Sequence, residues 1–504
     1  MPLSTVIHKC ICKGNAPEAI PPAIQTILLL FVGWGQLISF NAQTDRFMRK
    51  YLLPIFLGCA IPAMASAQQQ DSVIFRQIAD EILTHSTAYD NLHVLTKKVG
   101  GRLAGSPGMV KAERWGVAAL KAAGADTVYL QPCMVPHWVR GAREEARIIS
   151  KRRDYTPPLN VLALGNSVGS GDAGVTAPIL EVSSFEDLEA KKDQVKGKIV
   201  FYNYPFNPKF IKTFHSYGDA VKYRGGGASR AAKYGALAVI VRSMSHGANN
   251  EPHTGAMQYD SAYPKIPAVA IGLQDADRLS QRIKDDPTAQ VFLKTNCRML
   301  ADTIGHNVIG ELRGSKYPDQ YLTVGGHLDS WDVAEGAHDD GTGCVQSIEV
   351  LRAFKALGIK PERTLRVVLF ANEENGTRGG KKYAEVAKEK GEKHIFALES
   401  DAGGFTPRGF TMTMSDAQRE KVKSWAPLFL PYGIYDFDEP GGGVDVGQLH
   451  AAIGTPMAEL SPDSQRYFDI HHAPNDVFEN VNKRELELGA FAMAALLYMV
   501  DKSF

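Results

Sequence analysis

The sequence has few cysteines and almost no net charge. Only six of its 504 residues are cysteines, and three of these, Cys133, Cys297 and Cys344, follow residue 67. Three thiols cannot form a disulfide framework, which excludes a small disulfide-stapled fold. The formal net charge of +1 provides no field that would attract nucleic acid or an anionic membrane, so we expect neither as a partner.

Several catalytic motifs are also missing. The sequence contains no H-E-x-x-H helix, no P-loop and no G-x-S-x-G elbow, which removes the hydrolase and nucleotidase classes that depend on them. Gly169, Gly171 and Gly174 have the spacing of a dinucleotide fingerprint, but a strand-like segment follows them. We therefore interpret these glycines as a turn.

Residues 1–67 have the composition of a targeting segment. A basic start at Arg49 precedes an apolar run over 51–57, and the segment closes at Ala67 with an A-x-A site. This pattern predicts a secretory signal that begins at Met48 and is cleaved after Ala67. We expect an exported protein, periplasmic or extracellular, with no stable membrane insertion after cleavage.

Two alternatives remain for this segment. The apolar run within 24–40 is either part of an upstream extension or a membrane anchor. Glycines interrupt the run and it is short for a membrane span, which argues against an anchor. Cys59 gives a weak resemblance to a lipoprotein cleavage site.

The rest of the chain divides into a split domain and an insertion. Residues 68–135 start helical, over 72–98 and 109–123, and residues 136–299 alternate short strands with turns, including a glycine loop at 225–227 that leads into a helix. After residue 300, strands are predicted at 320–326, 365–371, 395–399 and 456–460, and helices at 342–357, 378–390 and 484–501. This alternation predicts an α/β fold over 68–135 and 300–504, with a mixed, largely parallel central sheet flanked by helices.

Metal-binding side chains follow the predicted strands. They are His327, Asp329, Asp339, Glu373, Glu374, Asp401 and the pair His471 and His472. Because ligands bind at the carboxyl ends of strands in open α/β sheets, these side chains are expected to converge. Imidazole and carboxylate ligands suit zinc. In the adjacent pair, one glutamate is expected to bind metal and the other to take a proton from water.

Each of these residues has an ordinary explanation when taken alone. A strand-end aspartate is commonly a helix cap or a turn residue, and paired glutamates or histidines are commonly surface or core residues. Their joint placement after apolar strands favours a catalytic metal site.

Four motifs resemble those of the co-catalytic di-zinc aminopeptidase family, and within it the carboxypeptidase Q branch. They are the segments 325–331 (GGHLDSW), 336–343 (GAHDDGTG), 370–376 (FANEENG) and 472–476 (HAPND). The insertion at 136–299 resembles a protease-associated domain through 196–200, 234–240 and 266–269. The resemblance implies a zinc exopeptidase fold with two zinc ions per chain.

The same resemblance assigns roles to residues. It implies that Asp339 bridges both ions, that His327 and Asp401 bind one, and that Glu374 and His472 bind the other, His472 being preferred over His471 for its distance from Asp476. Glu373 is implied to be the general base, and Asp329 to orient His327 through its other ring nitrogen. Asp445 and Tyr467 are candidates for substrate contact. The resemblance also implies a cis peptide bond between Asp339 and Asp340.

The sequence thus predicts a zinc aminopeptidase or dipeptidase acting on dipeptides or short peptides with a free amino terminus. The alternatives are a glutaminyl cyclase-like acyltransferase with one zinc ion and an inactive receptor-like module. The sequence leaves open whether the chain forms a homodimer and whether Cys133 and Cys297, which flank the insertion, form a disulfide.

Overall fold

Two sheets organise the chain in this computed structural model, which describes residues 69–151 and 156–504. The strands are β1 (Thr127–Val139), β2 (Glu145–Ile149), β3 (Val161–Ala163), β4 (Val175–Val182), β5 (Ile199–Tyr202), β6 (Ala238–Arg242), β7 (Ala268–Ile271), β8 (Gln290–Lys294), β9 (Arg298–Leu312), β10 (Tyr317–His327), β11 (Arg363–Phe370), β12 (Lys393–Glu399), β13 (Pro407–Thr413) and β14 (Met457–Pro462). The helices are α1 (69–85), α2 (Ala88–Val94), α3 (Pro107–Ala122), α4 (Phe185–Ala190), α5 (Thr213–Ala232), α6 (Leu273–Asp285), α7 (Thr342–Ala356), α8 (Arg378–Lys390), α9 (Asp416–Lys423), α10 (Ala426–Phe429), α11 (Val444–Ile453) and α12 (Lys483–Ser503).

The first sheet has the strand order β1-β9-β11-β10-β12-β14-β13. Its four central strands, β11, β10, β12 and β14, run parallel, while β1, β9 and β13 are antiparallel to their neighbours. Every residue of β11 is buried, as expected for a parallel strand covered on both faces. The prediction of an α/β fold with a mixed sheet and a parallel centre is therefore confirmed.

The main core lies between this sheet and the helices that cover it. Residues of α3, α7 and α12 pack in one apolar cluster with β10, β11 and β12. From Ala490 to Val500 every residue of α12 is buried, as expected for a helix that is apolar on almost all sides.

The second sheet has the order β2-β8-β4-β5-β6-β7-β3, and all its strands come from the chain between β1 and β9. Strands β1 and β9 pair with each other from Thr127 and Glu311 to Val139 and Arg298. The chain thus leaves the first sheet and returns to it at one place. Both sheets belong to one compact unit, Ser72–Phe504.

Local predictions differ from the structure in three places. The helix predicted over 72–98 is interrupted at 86–87. The segment around residue 128 forms part of the long strand β1, whose partner β9 was not predicted. The prediction of a glycine loop at 225–227 is wrong, because these glycines lie inside α5. A Cβ on Gly227 would come within 2.8 Å of the Tyr202 ring, and Tyr202 donates its hydroxyl hydrogen to the Gly227 carbonyl at 2.9 Å. Glycine is needed there for close packing.

The three cysteines of the described chain are buried free thiols. Cys133 lies opposite Gly305 in the β1–β9 ladder, whereas Cys297 directly precedes the residue opposite Val139. Six residues of extended strand separate these two levels, roughly 20 Å, so a disulfide does not form. Cys344 lies in the core at the start of α7.

The proposed signal and upstream extension, residues 1–67, lie outside the described residues. Within the described chain, the helices are too short or too polar to cross a membrane.

Candidate metal centre and active site

The site forms where three neighbouring parallel strands end. His327 is the last residue of β10, which lies between β11 and β12. Glu373 and Glu374 follow the end of β11 by three and four residues, and Asp401 follows the end of β12 by two. Adjacent parallel strands place their carboxyl ends at one edge, so these side chains meet there. His472 reaches the same edge from the loop after β14.

Asp339 lies between two imidazoles. Its Oδ1 is 3.1 Å from Nε2 of His327, and its Oδ2 is 3.2 Å from Nε2 of His472. Asp401 Oδ1 lies 3.2 Å from the same His327 nitrogen, and Glu374 Oε2 lies 3.2 Å from the same His472 nitrogen. The structure therefore brings together all five predicted metal ligands, in two groups that share Asp339.

The hydrogen bonds of His327 fit a metal ion in its group. Nδ1 of His327 donates to the backbone carbonyl of Asp329 at 3.0 Å, so Nε2 of the neutral ring carries a lone pair. That lone pair would face the oxygens of Asp339 and Asp401, which is repulsive. A metal ion among the three atoms removes the repulsion.

The His472 group leads to the same conclusion. One ring nitrogen carries at most one proton, so Nε2 cannot satisfy both Asp339 and Glu374. Burial lowers the pKa of His472, but the charge of Glu374 and a hydrogen bond to Asp339 outweigh it and raise the pKa to about 10. Burial likewise lowers the pKa of His327, and the charge of Asp401 with hydrogen bonds to Asp339 and Asp401 leaves it well above its usual value. The donor set therefore fits divalent zinc in both groups.

The loop that carries Asp339 is fixed from two sides. Asp476 accepts hydrogen bonds from the backbone N–H of His338 at 2.8 Å and of Asp339 at 3.2 Å. Asp340 accepts from the backbone N–H of His327 at 2.9 Å. The peptide bond between Asp339 and Asp340 is cis, which confirms that prediction.

Glu373 lines a cavity of about 470 Å³ beside the ligand groups. Burial raises its pKa well above the usual value, and the carboxylates of Asp401 and Glu374 add to the shift. Its backbone N–H donates to Oδ1 of Asp329 at 2.9 Å. A carboxyl with a raised pKa beside metal ligands is suited to general-base chemistry.

Asp329 supports the site through different atoms from those predicted. Its carboxylate Oδ1 lies 3.7 Å from Nδ1 of His327, beyond hydrogen-bond distance, and the carbonyl of Asp329 makes the contact instead. The carboxylate holds the loop after β11 through Glu373. Burial raises the pKa of Asp329.

The two predicted substrate contacts differ in position. Tyr467 lines the cavity and stacks on Phe214, with ring centroids 5.4 Å apart. Asp445 is buried and is not among the residues that line that cavity. The start of α11 packs closely against α8, and a Cβ on Gly380 would meet Asp445 Oδ1 at 2.4 Å. The structure therefore places Tyr467, but not Asp445, in the cavity wall.

Several cavity residues were not assigned a role from the sequence, among them His471, Arg224 and Glu459. His471 stacks on His472 with ring centroids 3.6 Å apart, and its Nε2 lies 3.7 Å from Oδ2 of Asp339. Arg224 and Glu459 also line the cavity. The histidine pair was visible in the sequence, but Arg224 comes from the second sheet's part of the chain and carried no motif.

The sequence profile described as "Peptidase family M28" matches residues 307–497. Carboxypeptidase Q of Bos taurus is 34% identical over 467 residues, which cover 89% of this chain and 95% of that protein. Carboxypeptidase Q of Homo sapiens is 36% identical over 413 residues, 82% of this chain and 85% of that protein. The crystal structure of a peptidase M28 precursor from Shewanella amazonensis SB2B has a TM-score of 0.81 at 34% identity, covering 86% of this chain and 97% of that one.

The site at the ends of parallel strands, its two groups of candidate ligands and these relatives all indicate the same family of enzymes. The chain belongs to peptidase family M28 and is a metallo-exopeptidase.

Proposed function

We propose that the protein is an exported two-zinc exopeptidase that hydrolyses dipeptides or short peptides with a free amino terminus. The observation that carries the proposal is the position of Asp339, whose two carboxylate oxygens belong to two different ligand groups. A carboxylate shared in this way would hold both ions of a two-metal site. His327 and Asp401 complete one group, and Glu374 and His472 complete the other.

Bound zinc supplies Lewis-acid polarisation of the scissile carbonyl and of a water molecule. The protein's own residues supply the proton transfer. Glu373, which lines the cavity beside the ligands, takes a proton from the attacking water and returns it to the leaving amine. Asp329 holds the backbone of Glu373 in position for that transfer.

The second sheet's part of the chain closes one side of the cavity. Asn166, Tyr217, Arg224 and Gln258 line it from that side. In this proposal residues 136–299 form a protease-associated domain that restricts the cleft to short substrates, between the two catalytic parts at 68–135 and 300–504.

The surroundings of Arg224 are evidence for a short substrate that has a free carboxylate. Its side chain is 8% exposed, and its nearest polar partners are the Tyr217 hydroxyl at 2.5 Å and His472 Nδ1 at 3.3 Å. Its Nε has no hydrogen-bond partner, and among the described residues no carboxylate forms an ion pair with it. A buried guanidinium without an anion is unfavourable, and the carboxylate of a dipeptide would supply the missing partner.

A panel of dipeptides, tripeptides and aminoacyl anilides tests the function, each offered with a free and with an N-acetylated amino terminus. The zinc-loaded enzyme is expected to cleave the free substrates and to leave the acetylated ones intact. Equal rates on both forms would contradict the proposal. Amino-terminal sequencing of the exported protein tests the signal and is expected to begin at Gln68.

A further inference from the structure

A second cavity adjoins the first cavity, the one that Glu373 lines, and Glu459 lies where the two cavities meet. The second cavity has a volume of about 380 Å³. Phe214, Gly442 and Glu459 line both cavities. Glu459 lies on β14, opposite Glu399 of β12, so its position is fixed by the sheet.

The carboxylate of Glu459 has no compensating group. Among the described residues, none donates a hydrogen bond to it and none forms an ion pair with it. Burial raises its pKa well above the usual value, and the carboxylates of Asp401 and Glu399 add to the shift. Glu459 is partly exposed to the cavity, and a cation bound there would pair with its carboxylate and favour the ionised form.

The cations of the second cavity are already paired. Lys212 lies 2.6 Å from Asp436 and 2.8 Å from Glu439. Arg408 lies 3.4 Å from Asp463. All five residues line this cavity, so Glu459 is the acidic side chain of the cavity that is left without a cationic partner.

The same cavity also has an unused hydroxyl and an apolar wall. Thr411 Oγ1 is buried without a hydrogen-bond partner. Phe214, Tyr435 and Leu460 supply apolar surface. A long aliphatic side chain with a cationic end matches this combination, because its stem packs on apolar surface while its head pairs with a carboxylate.

We propose that the second cavity takes the side chain of the substrate's amino-terminal residue and that Glu459 selects a cationic end, lysine or arginine. The inference rests on the proposed exopeptidase function. Hydrolysis of the first peptide bond places the first residue's carbonyl at the metal ligands, so its α-amino group stays in the first cavity. Only its side chain then extends past Glu459 into the adjoining space.

Two dipeptides that differ only in the first side chain test the proposal, one beginning with lysine and the other with its neutral analogue norleucine. The zinc-loaded wild-type enzyme is expected to favour the lysine substrate in kcat/KM by roughly tenfold or more. Glu459→Gln keeps the size of the side chain and should reduce this ratio to about one. Glu459→Asp should retain part of the preference. Glu420→Gln on the exposed face of α9 is the control and should keep the wild-type ratio.

Binding provides a readout independent of turnover. Calorimetry with free lysine and free norleucine as probes should show tighter binding of lysine to the wild type and equal binding to Glu459→Gln, with melting curves confirming that the variant folds. A wild type without lysine preference in both assays overturns the inference. So does a variant that loses both substrates equally, because Glu459 would then act on the α-ammonium group or on the fold. Lysine-selective binding without hydrolysis of any peptide would uphold this inference and overturn the proposed function.

Discussion

The backbone N–H of Glu373 donates a hydrogen bond of 2.9 Å to the carboxylate of Asp329. This bond joins the loops that follow two adjacent parallel strands, β10 and β11. The first loop begins at the proposed metal ligand His327, and the second carries Glu373 and Glu374. The buried carboxylate of Asp329 therefore helps to hold the proposed base in position relative to the proposed ligands.

Removing that carboxylate should weaken both the fold and the reaction. Asp329→Ala leaves the Glu373 N–H buried without an acceptor, and we expect a loss of about 1–3 kcal/mol in the free energy of unfolding together with a lower kcat. Asp329→Asn retains an acceptor oxygen and should lose less of both. Denaturant unfolding at fixed zinc concentration and steady-state kinetics measure the two effects. Wild-type stability and kcat in Asp329→Ala would show that the bond does not position Glu373.

The neighbouring glutamates should respond differently to the same substitution. Glu373→Gln removes the base and is expected to lower kcat by at least about a hundredfold while both zinc ions stay bound. Glu374→Gln should lose metal, because a neutral amide is a poor zinc ligand. Zinc analysis and kcat are measured on both variants. The opposite pattern would exchange the two roles, and full activity in both would refute the site.

Arg224 should determine how strongly a free carboxylate is preferred. A dipeptide and its C-terminal amide are compared, and the wild type is expected to favour the free acid by roughly tenfold or more in kcat/KM. Arg224→Gln should make the two substrates nearly equal by slowing only the free acid. Lys222→Gln lies on the same helix with its side chain half exposed and should behave like the wild type. An unchanged preference in Arg224→Gln would exclude Arg224 as the anchor.

The free energy of unfolding should fall in acid because Glu392, a residue outside the metal site, becomes protonated. Burial alone would raise the pKa of Glu392, but a hydrogen bond to His394 and the charge of Arg366 outweigh it and lower the pKa to about 2. The folded pKa is thus below the unfolded one, so the stabilisation is present above pH of about 4.5 and is lost as pH falls toward about 2.

Unfolding curves of wild type and Glu392→Gln from pH 7 to pH 2 measure this contribution. The variant should be less stable at pH 7, by up to about 3 kcal/mol, and the difference should vanish at the acid end. A difference that is independent of pH would mean that Glu392 acts by packing alone.

The sequence predicted that these side chains converge, because several of them closely follow apolar strands and parallel strands finish at one edge of the sheet. The strand ends alone did not say which residues bind metal. The assignment of Glu374 rather than Glu373, and of Asp339 and His472 in their loops, required the resemblance to the family motifs.

Contacts that depend on three-dimensional packing were not predictable in this way. Arg224 reaches the cavity from a helix more than a hundred residues before the ligands. Asp445 follows three glycines, a pattern typical of an exposed loop. In the structure Asp445 is buried, and the N–H of the neighbouring Val446 donates to the carboxylate of buried Glu399 at 2.7 Å. Glu459 alternates with buried residues along β14 and showed no sign of an adjoining cavity.

The zinc content of the purified enzyme tests the central claim most directly. Protein prepared without chelator and analysed for metal per chain should hold two zinc ions, and Asp339→Asn should hold fewer, because it removes the carboxylate shared by both groups. One zinc ion per chain at saturation in the wild type, or two in Asp339→Asn, would contradict the account.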